Sequence, residues 1–340
     1  MREVRIGVVG AGGAAQVIHL PILSRLPDVR VVALVDADGE RARTIAGRFG
    51  IETAGSGLGD LDAAGGADAV LVCTPTDTHE ELVCGALERG AHVLCERPLA
   101  FGSSSVRQMV EAARSAERHL MVALNQRYRL DVRAIRQFIG SGELGDIVSV
   151  RSAWLKLRHR RPNRGWRTDP ARAGGGVLMD LGVQAIDVAL WLLEYPAVER
   201  ITARFHGLDE GVEDSAIALL SLADGGTVSI EVTWALHGDR ERSALSVHGT
   251  RGSASTAPLS VLCELETGVA DVTPPIDLPS TGLYEAAYRR EWSEFLRLVR
   301  GEQDGELPEE QVDLLRIVEA CYRSAREGRE IALGEPQQGG

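Results

Sequence analysis

Short apolar runs recur through the first 124 residues and are separated by amphipathic stretches. Val4–Val9, Val31–Val35, Ala69–Cys73, His92–Cys95 and Leu120–Ala123 are rich in Val and Leu with little alternation. That is the pattern of parallel strands buried on both faces. Between them Glu40–Phe49, Glu80–Arg89 and Ser104–Ala116 carry helical spacing. Strands alternating with helices predict βαβ units, hence a doubly wound parallel sheet with helices on both sides.

Beyond Asn125 the pattern changes. Leu130–Ile139 reads as a helix, Ile147–Leu157 as a long strand and Leu178–Leu193 as a strongly apolar helix. Arg200–His206, Ser215–Leu222 and Thr227–Trp234 read as strands, and turns such as Asp224-Gly225-Gly226 favour antiparallel pairing. Tyr288, Trp292, Phe295 and Val299 follow helical spacing and are expected to pack on this second domain. The expected boundary gives an α/β domain over 1–124 and a second, with a large and mostly antiparallel open sheet, over 125–335. Pro336–Gly340 reads as a frayed tail.

Composition narrows the function. The chain has 340 residues, 44% of them apolar and 25% charged, which suits two domains with sizeable cores. A net charge of −12 argues against nucleic acid and acidic membranes as partners. No apolar run is seen to approach the roughly 18 residues that span a bilayer. Met1-Arg2-Glu3 leads straight into the first strand, so no leader is expected and the location expected is cytoplasmic. The five cysteines are odd in number and lack C-x-x-C spacing, so neither disulfides nor a metal site is expected. Of 37 basic residues only Lys156 is a lysine. Where almost every lysine has become arginine, the survivor is a candidate for chemistry that arginine cannot perform.

Gly10-Ala11-Gly12-Gly13-Ala14-Ala15 follows the first strand and opens a helix. This G-x-G-x-x-A turn places Gly10 at the tight bend, Gly12 and Gly13 against a pyrophosphate, and Ala15 where helix meets strand. The helix N-terminus offers N–H groups and a positive dipole end. Asp36 closes the second strand, where a carboxylate binds the adenosine ribose and repels a 2′-phosphate. No arginine follows at once, the run being Asp36-Ala37-Asp38, so NAD is favoured over NADP.

Further motifs extend the reading. Cys73-Thr74-Pro75-Thr76-Asp77-Thr78-His79 and Cys95-Glu96-Arg97-Pro98-Leu99-Ala100 end successive strands. Arg172-Ala173-Gly174-Gly175-Gly176 precedes Met179-Asp180-Leu181-Gly182-Val183-Gln184-Ala185-Ile186-Asp187. Together, from Arg5 to about Leu333, the chain resembles the Gfo/Idh/MocA family of NAD(P)-dependent oxidoreductases. The resemblance implies hydride transfer between nicotinamide and a ring carbon of a sugar, nucleotide sugar, cyclitol or related polyol, at a cleft between the domains. It also implies a sheet that assembles homodimers or homotetramers. By the resemblance Thr74, Pro75, Thr76 and His79 line the nicotinamide-side loop, Glu96 and Pro98 hold the strand end beneath it, and Gly10, Gly12, Gly13, Ala14, Asp36, Arg97 and Asn125 complete the cofactor set.

Two positions depart from the family pattern. Its Glu-Lys-Pro is here Glu96-Arg97-Pro98, and Gln184 stands where the family's Asp-x-Gly-x-x-x-His or Asp-x-Gly-x-His motif has histidine. Asp180, Gln184 and Asp187 are expected on one helix face. Interconverting an alcohol and a carbonyl requires a group that exchanges a proton. Arginine does not exchange its proton near neutral pH, and glutamine has none to exchange. Arg97 therefore serves as an electrostatic clamp. Lys156, which shares a strand face with Val150, Ser152 and Trp154, is the leading proton carrier. Asp180 is the next candidate and Tyr128 the third. Trp154, Trp166 and Trp234 are candidates for an apolar wall. The cations Lys156, Arg158, Arg160, Arg161, Arg164 and Arg167, with no acid among them, suit an anionic group on the substrate. The alternatives left open are imine reduction, a redox-neutral enzyme using NAD transiently, and a non-catalytic sensor of NAD and a ligand.

Overall fold

A computed structural model describes residues 3–158, 165–207, 211–276 and 280–334. Arg160, Arg161 and Arg164 of the cationic stretch, and the Pro336–Gly340 tail, lie outside the described residues. The chain forms two compact units, Met1–Asn125 with Tyr284–Val312, and Gln126–Leu283 with Asp313–Gly340.

The first unit is built on six parallel strands: β1 (Val4–Val9), β2 (Val29–Val35), β3 (Thr53–Gly55), β4 (Ala69–Val72), β5 (His92–Glu96) and β6 (Leu120–Ala123). Their order in the sheet is β3-β2-β1-β4-β5-β6, with every neighbouring pair parallel. This is the dinucleotide-binding order, and its chain reversal between β1 and β4 opens a crevice at the carboxyl ends of those strands. Ile6, Val8, Leu34, Leu71 and Leu94 are fully buried at the centre of the sheet. β3, a Thr-Ala-Gly segment with no large apolar side chain, escapes the apolar pattern in the sequence.

The helix Ser280–Val299 corrects one expectation. Tyr288, Trp292, Phe295 and Leu296 are buried in the same cluster as Ile6, Val8 and Leu34, with Val299 packed against it. They complete the core of the first unit, not of the second. An amphipathic stripe reveals that one face is buried but not which sheet receives it. Trp292 and Phe295, both fully buried, stabilise that core by about 1.5–3 kcal/mol each.

The second unit carries nine strands: β7 (Ile147–Leu157), β8 (Val198–His206), β9 (Ser215–Leu222), β10 (Thr227–Leu236), β11 (Arg242–Gly249), β12 (Gly252–Thr256), β13 (Leu259–Leu265), β14 (Gly268–Asp271) and β15 (Ile331–Ala332). They are ordered β14-β13-β12-β11-β7-β10-β9-β8-β15. Only β7 and β10 run parallel, and the other neighbours are antiparallel. The helix Val183–Leu192 packs on β7 and β10. β9 shows the consequence of one covered face: Ala216, Ala218, Leu220 and Leu222 are buried, while Ile217 and Leu219 are exposed.

The helical stretch Pro170–Leu192 corrects the expectation that no segment reaches membrane-spanning length. It has the length and composition to cross a bilayer, but 83% of its most apolar window is buried inside the protein. Burial of that kind marks a core helix.

Candidate functional site

The cofactor half of the site is built at the carboxyl ends of β1, β2, β4, β5 and β6. Gly10 has φ +102°, and a Cβ there would lie 2.7 Å from the Cys73 carbonyl oxygen, so only glycine fits the turn. At Gly12 and Gly13 a Cβ would meet nothing within 4 Å, which leaves a cradle of backbone open to a ligand. The helix that follows opens at Gly13 and passes into a π turn, Ala15–His19, and the N–H groups of its first turn lack intrahelical acceptors.

Asp36 is nearly buried at the end of β2. Its Oδ2 accepts the Ala11 N–H at 2.7 Å, and its Oδ1 accepts the Asp38 N–H at 2.9 Å and Arg41 Nη2 at 2.5 Å. Burial pushes the carboxyl pKa up, but the Arg41 bond and the two N–H donors outweigh it and hold the group below the usual range. Asp36 therefore stays ionised.

Two loops form the next wall. The buried ring of His79 bridges them, with Nε2 3.0 Å from the Thr74 carbonyl and Nδ1 3.0 Å from the Pro98 carbonyl. Burial pushes its pKa down, against the pull of the two carbonyls; a neutral ring carries one N–H, so it donates to one of these carbonyls and packs against the other. Thr78 bonds Thr74 Oγ1 and the Pro75 carbonyl, both at 2.8 Å. The hydroxyl of Thr76 and the amide nitrogen of Asn125 are buried without a protein partner. Buried polar atoms are ordinarily paired. With the open glycine cradle, these two orphans fit a bound dinucleotide.

Glu96 is placed by residues that the sequence reading missed. Its Oε1 lies 2.9 Å from His19 Nε2, and Oε2 accepts the Arg97 N–H at 3.2 Å. Trp292 Nε1 donates to His19 Nδ1 at 3.0 Å, so the ring proton sits on Nε2 and is directed at the carboxylate. Burial raises the Glu96 pKa, but the His19 bond and the charge of Arg97 bring it below the usual value. His19 is wholly buried in the glycine-turn helix, and its partners Glu96 and Trp292 lie too far along the chain for any local sequence signal to reveal them.

The second unit gathers its own cluster. Asp180 stands in a π turn, Leu178–Gly182. Trp234 Nε1 donates to Asp180 Oδ2 at 3.1 Å, and Lys156 Nζ lies 3.9 Å from the same oxygen. Arg167 Nε is 3.9 Å from Oδ1. Trp154 is two residues from Lys156 on the same strand face, and the ammonium sits 5.6 Å from its ring centroid. Thus the Trp154–Lys156 pair, Asp180 and Trp234, from three separate stretches of the chain, meet in space.

Gln184 borders this cluster, whereas Asp187 and Tyr128 have other partners. Gln184 is buried, its amide 3.5 Å from the Asp180 carbonyl, and it lines a small crevice with Gln126, Arg129, Ser152 and Trp154. Asp187 is held by both nitrogens of an Arg127 fork and by the Tyr195 hydroxyl, a structural ion pair. Tyr128 packs beneath Arg133, 5.0 Å from its guanidinium.

Glu213, also unforeseen, sets the position of Asp180. Its carboxylate accepts the N–H groups of Gly176 at 2.9 Å and Leu178 at 3.0 Å, and the Tyr322 hydroxyl at 2.8 Å. A Cβ on Gly176 would fall 2.0 Å from the Glu213 carbonyl oxygen, which accounts for that glycine. The Glu213 main chain thus packs directly beneath the start of the π turn.

A six-stranded NAD-binding sheet, an ionised ribose carboxylate and an orphaned polar lining define an NAD-binding oxidoreductase. The chain belongs to the Gfo/Idh/MocA family: the family's NAD-binding Rossmann oxidoreductase profile matches residues 4–124, and its C-terminal domain profile matches 132–255. Inositol 2-dehydrogenase of Rhizobium meliloti (strain 1021) is 29% identical over 341 residues, covering 97% of this chain and 99% of that protein. The rhizopine catabolism protein MocA of Rhizobium meliloti is 30% identical, covering 68% of this chain and 72% of its own. A crystal structure of GenD2 from gentamicin A biosynthesis in complex with NAD superposes with a TM-score of 0.84 at 26% identity, covering 98% of this chain and 97% of that one.

Proposed function

We propose that the chain interconverts a polyhydroxylated, sugar- or cyclitol-like substrate and its carbonyl or imine counterpart, with Lys156 and Asp180 handling the proton. The convergence of Lys156, Trp234 and Arg167 on the Asp180 carboxylate carries this reading. The inositol dehydrogenase activity named for a relative of nearly equal length supports the substrate class. Bound NAD supplies the hydride acceptor or donor.

The residues divide the remaining work. Arg97, in the first unit, supplies a fixed positive charge of the kind that stabilises developing negative charge. Asp180, anchored by the Trp234 indole, orients the Lys156 ammonium, which gives its proton to the carbonyl oxygen during reduction and regains it during oxidation. Gln184 orients by hydrogen bonding alone. Arg158 and Arg167, the described part of the cationic stretch beyond Lys156, favour a substrate with an anionic group. The exposed apolar side chains Val148, Ile217, Leu219 and Leu262 on the second sheet suit a homodimer or homotetramer contact.

The test is NADH fluorescence on adding ketoses, cyclitol ketones, imines and nucleotide sugars to the purified protein. Turnover with a polyhydroxylated carbonyl or imine is the expected result. Tight NADH binding without turnover of any of them would favour the sensor reading.

A further inference from the structure

The carboxylate meant for the cofactor's ribose is already occupied. A carboxylate offers about four acceptor positions on its two oxygens. In Asp36 three are filled: Ala11 N–H on Oδ2, and Asp38 N–H with Arg41 Nη2 on Oδ1. One position remains, on Oδ2, whereas the adenosine ribose of NAD brings two hydroxyls. The Ala11 and Asp38 donors are main-chain groups fixed by the glycine turn and by the start of the helix Gly39–Phe49. Arg41 is the movable donor: its side chain is 48% exposed, and its other nearby acid is Asp38, at 3.9 Å.

We propose that Arg41 is a gate on Asp36 that sets the choice between NAD(H) and NADP(H). To clasp both ribose hydroxyls, Asp36 must release Arg41 from Oδ1. A cofactor with a 2′-phosphate makes the opposite demand. It brings about two negative charges toward an ionised carboxylate, and a guanidinium between the two groups attracts both and offsets part of their repulsion. Arginine's planar fork suits that bridging role, since it donates to carboxylate and phosphate together. The same side chain thus competes with NAD and assists NADP. Asp36 alone favours NAD, as the sequence shows. Arg41 narrows the preference, because its place in the first turn of the helix Gly39–Phe49 lets its side chain reach back to the Asp36 carboxylate.

The experiment measures dissociation constants for NADH and NADPH by quenching of tryptophan fluorescence, at low and moderate salt, in the wild type and in Arg41→Ala. The helix cap uses the Arg41 backbone N–H on Asp38 Oδ1 at 3.0 Å, and alanine is a strong helix former. The variant therefore keeps its fold, which circular dichroism checks, and Arg41→Gln serves as a second variant that also removes the charge. The expected result is a ratio of NADPH to NADH dissociation constants at least tenfold wider in both variants. NADH should bind as tightly as before or up to about threefold tighter, since each tenfold corresponds to roughly 1.4 kcal/mol and a half-exposed ion pair is worth less. NADPH binding by the wild type, but not by the variants, should weaken steeply with salt. A ratio that widens less than tenfold, equal weakening of both cofactors, or no measurable NADPH binding to the wild type overturns the gate. Absence of NADH binding to the wild type would overturn the nucleotide-site assignment itself, a distinguishable failure.

Discussion

Replacing Lys156 tests the proton assignment most directly, provided the replacement separates charge from proton exchange. Lys156→Met removes both, whereas Lys156→Arg keeps the charge and removes the exchange. The 3.9 Å separation between Nζ and Asp180 Oδ2 corresponds to about 4 kcal/mol of attraction at an effective dielectric constant of 20. Solvent around a side chain that is 30% exposed screens this, so the net stability change is about 1 kcal/mol or less. A proton carrier, in contrast, is worth about 10²–10⁴ in kcat. Both variants should therefore fold with nearly unchanged melting temperatures and NADH affinity, and both should lose about 10²–10⁴ in kcat. The assay is NADH consumption with the substrate found by turnover screening, together with a pH profile. Arginine restoring kcat to within threefold of the wild type would show that charge alone matters. Methionine retaining kcat within tenfold would remove Lys156 from the chemistry.

Three further outcomes follow from the geometry. Glu213→Gln should destabilise the protein by about 1–3 kcal/mol at neutral pH, because an amide nitrogen would replace one acceptor facing the Gly176 and Leu178 N–H groups; chemical denaturation measures this. Burial holds the Glu213 pKa above the usual value despite the Tyr322 and backbone bonds. The stability linked to this shift, separate from that of the hydrogen bonds, is therefore full below the unfolded-state pKa and is lost as pH rises through the folded one, so the wild-type melting curve should carry a pH-dependent loss that the variant lacks. Trp292→Phe should cost about 1–2 kcal/mol by stripping His19 Nδ1 of its donor, and should weaken NADH binding as Glu96 loses its orientation; a variant with unchanged stability would refute the relay. Ile217→Arg should shift the species seen by light scattering from oligomer to monomer, and an unchanged mass would clear that sheet face of a role.

The parts of the fold legible in the sequence were those with a strong local period. β7 and β9 are apolar or alternating over their whole length, and the structure places them where the pattern did. β11, β12 and β14 were not legible because segments such as Arg242–Gly249 and Gly252–Thr256 are rich in small and polar residues with few large apolar ones; β13, apolar enough to be read as a strand, was missed. Their pairing comes from neighbouring strands. Candidate chemistry followed the same rule. The glycine turn and Asp36 are local signals and could be read directly. Lys156 stands out as the single lysine and Asp180 through the family motif, but their meeting with Trp234 is written in no one stretch of sequence. Arg41, Glu213, His19 and Trp292 act through contacts that no sequence window contains.

The first unit's core is discontinuous in the chain. Trp292, Phe295 and Leu296 seat against Ile6 and Leu34, nearly three hundred positions earlier. During synthesis, then, the six-stranded sheet emerges complete but with an uncovered apolar face, and it must wait until the Gln126–Leu283 part of the second unit has been translated before its last helix arrives. In that interval the nascent chain offers a sticky surface to chaperones or to other copies. A fragment cut at Asn125 would keep that exposure permanently, so the cofactor-binding half should be expressed with residues 284–312 tethered to it.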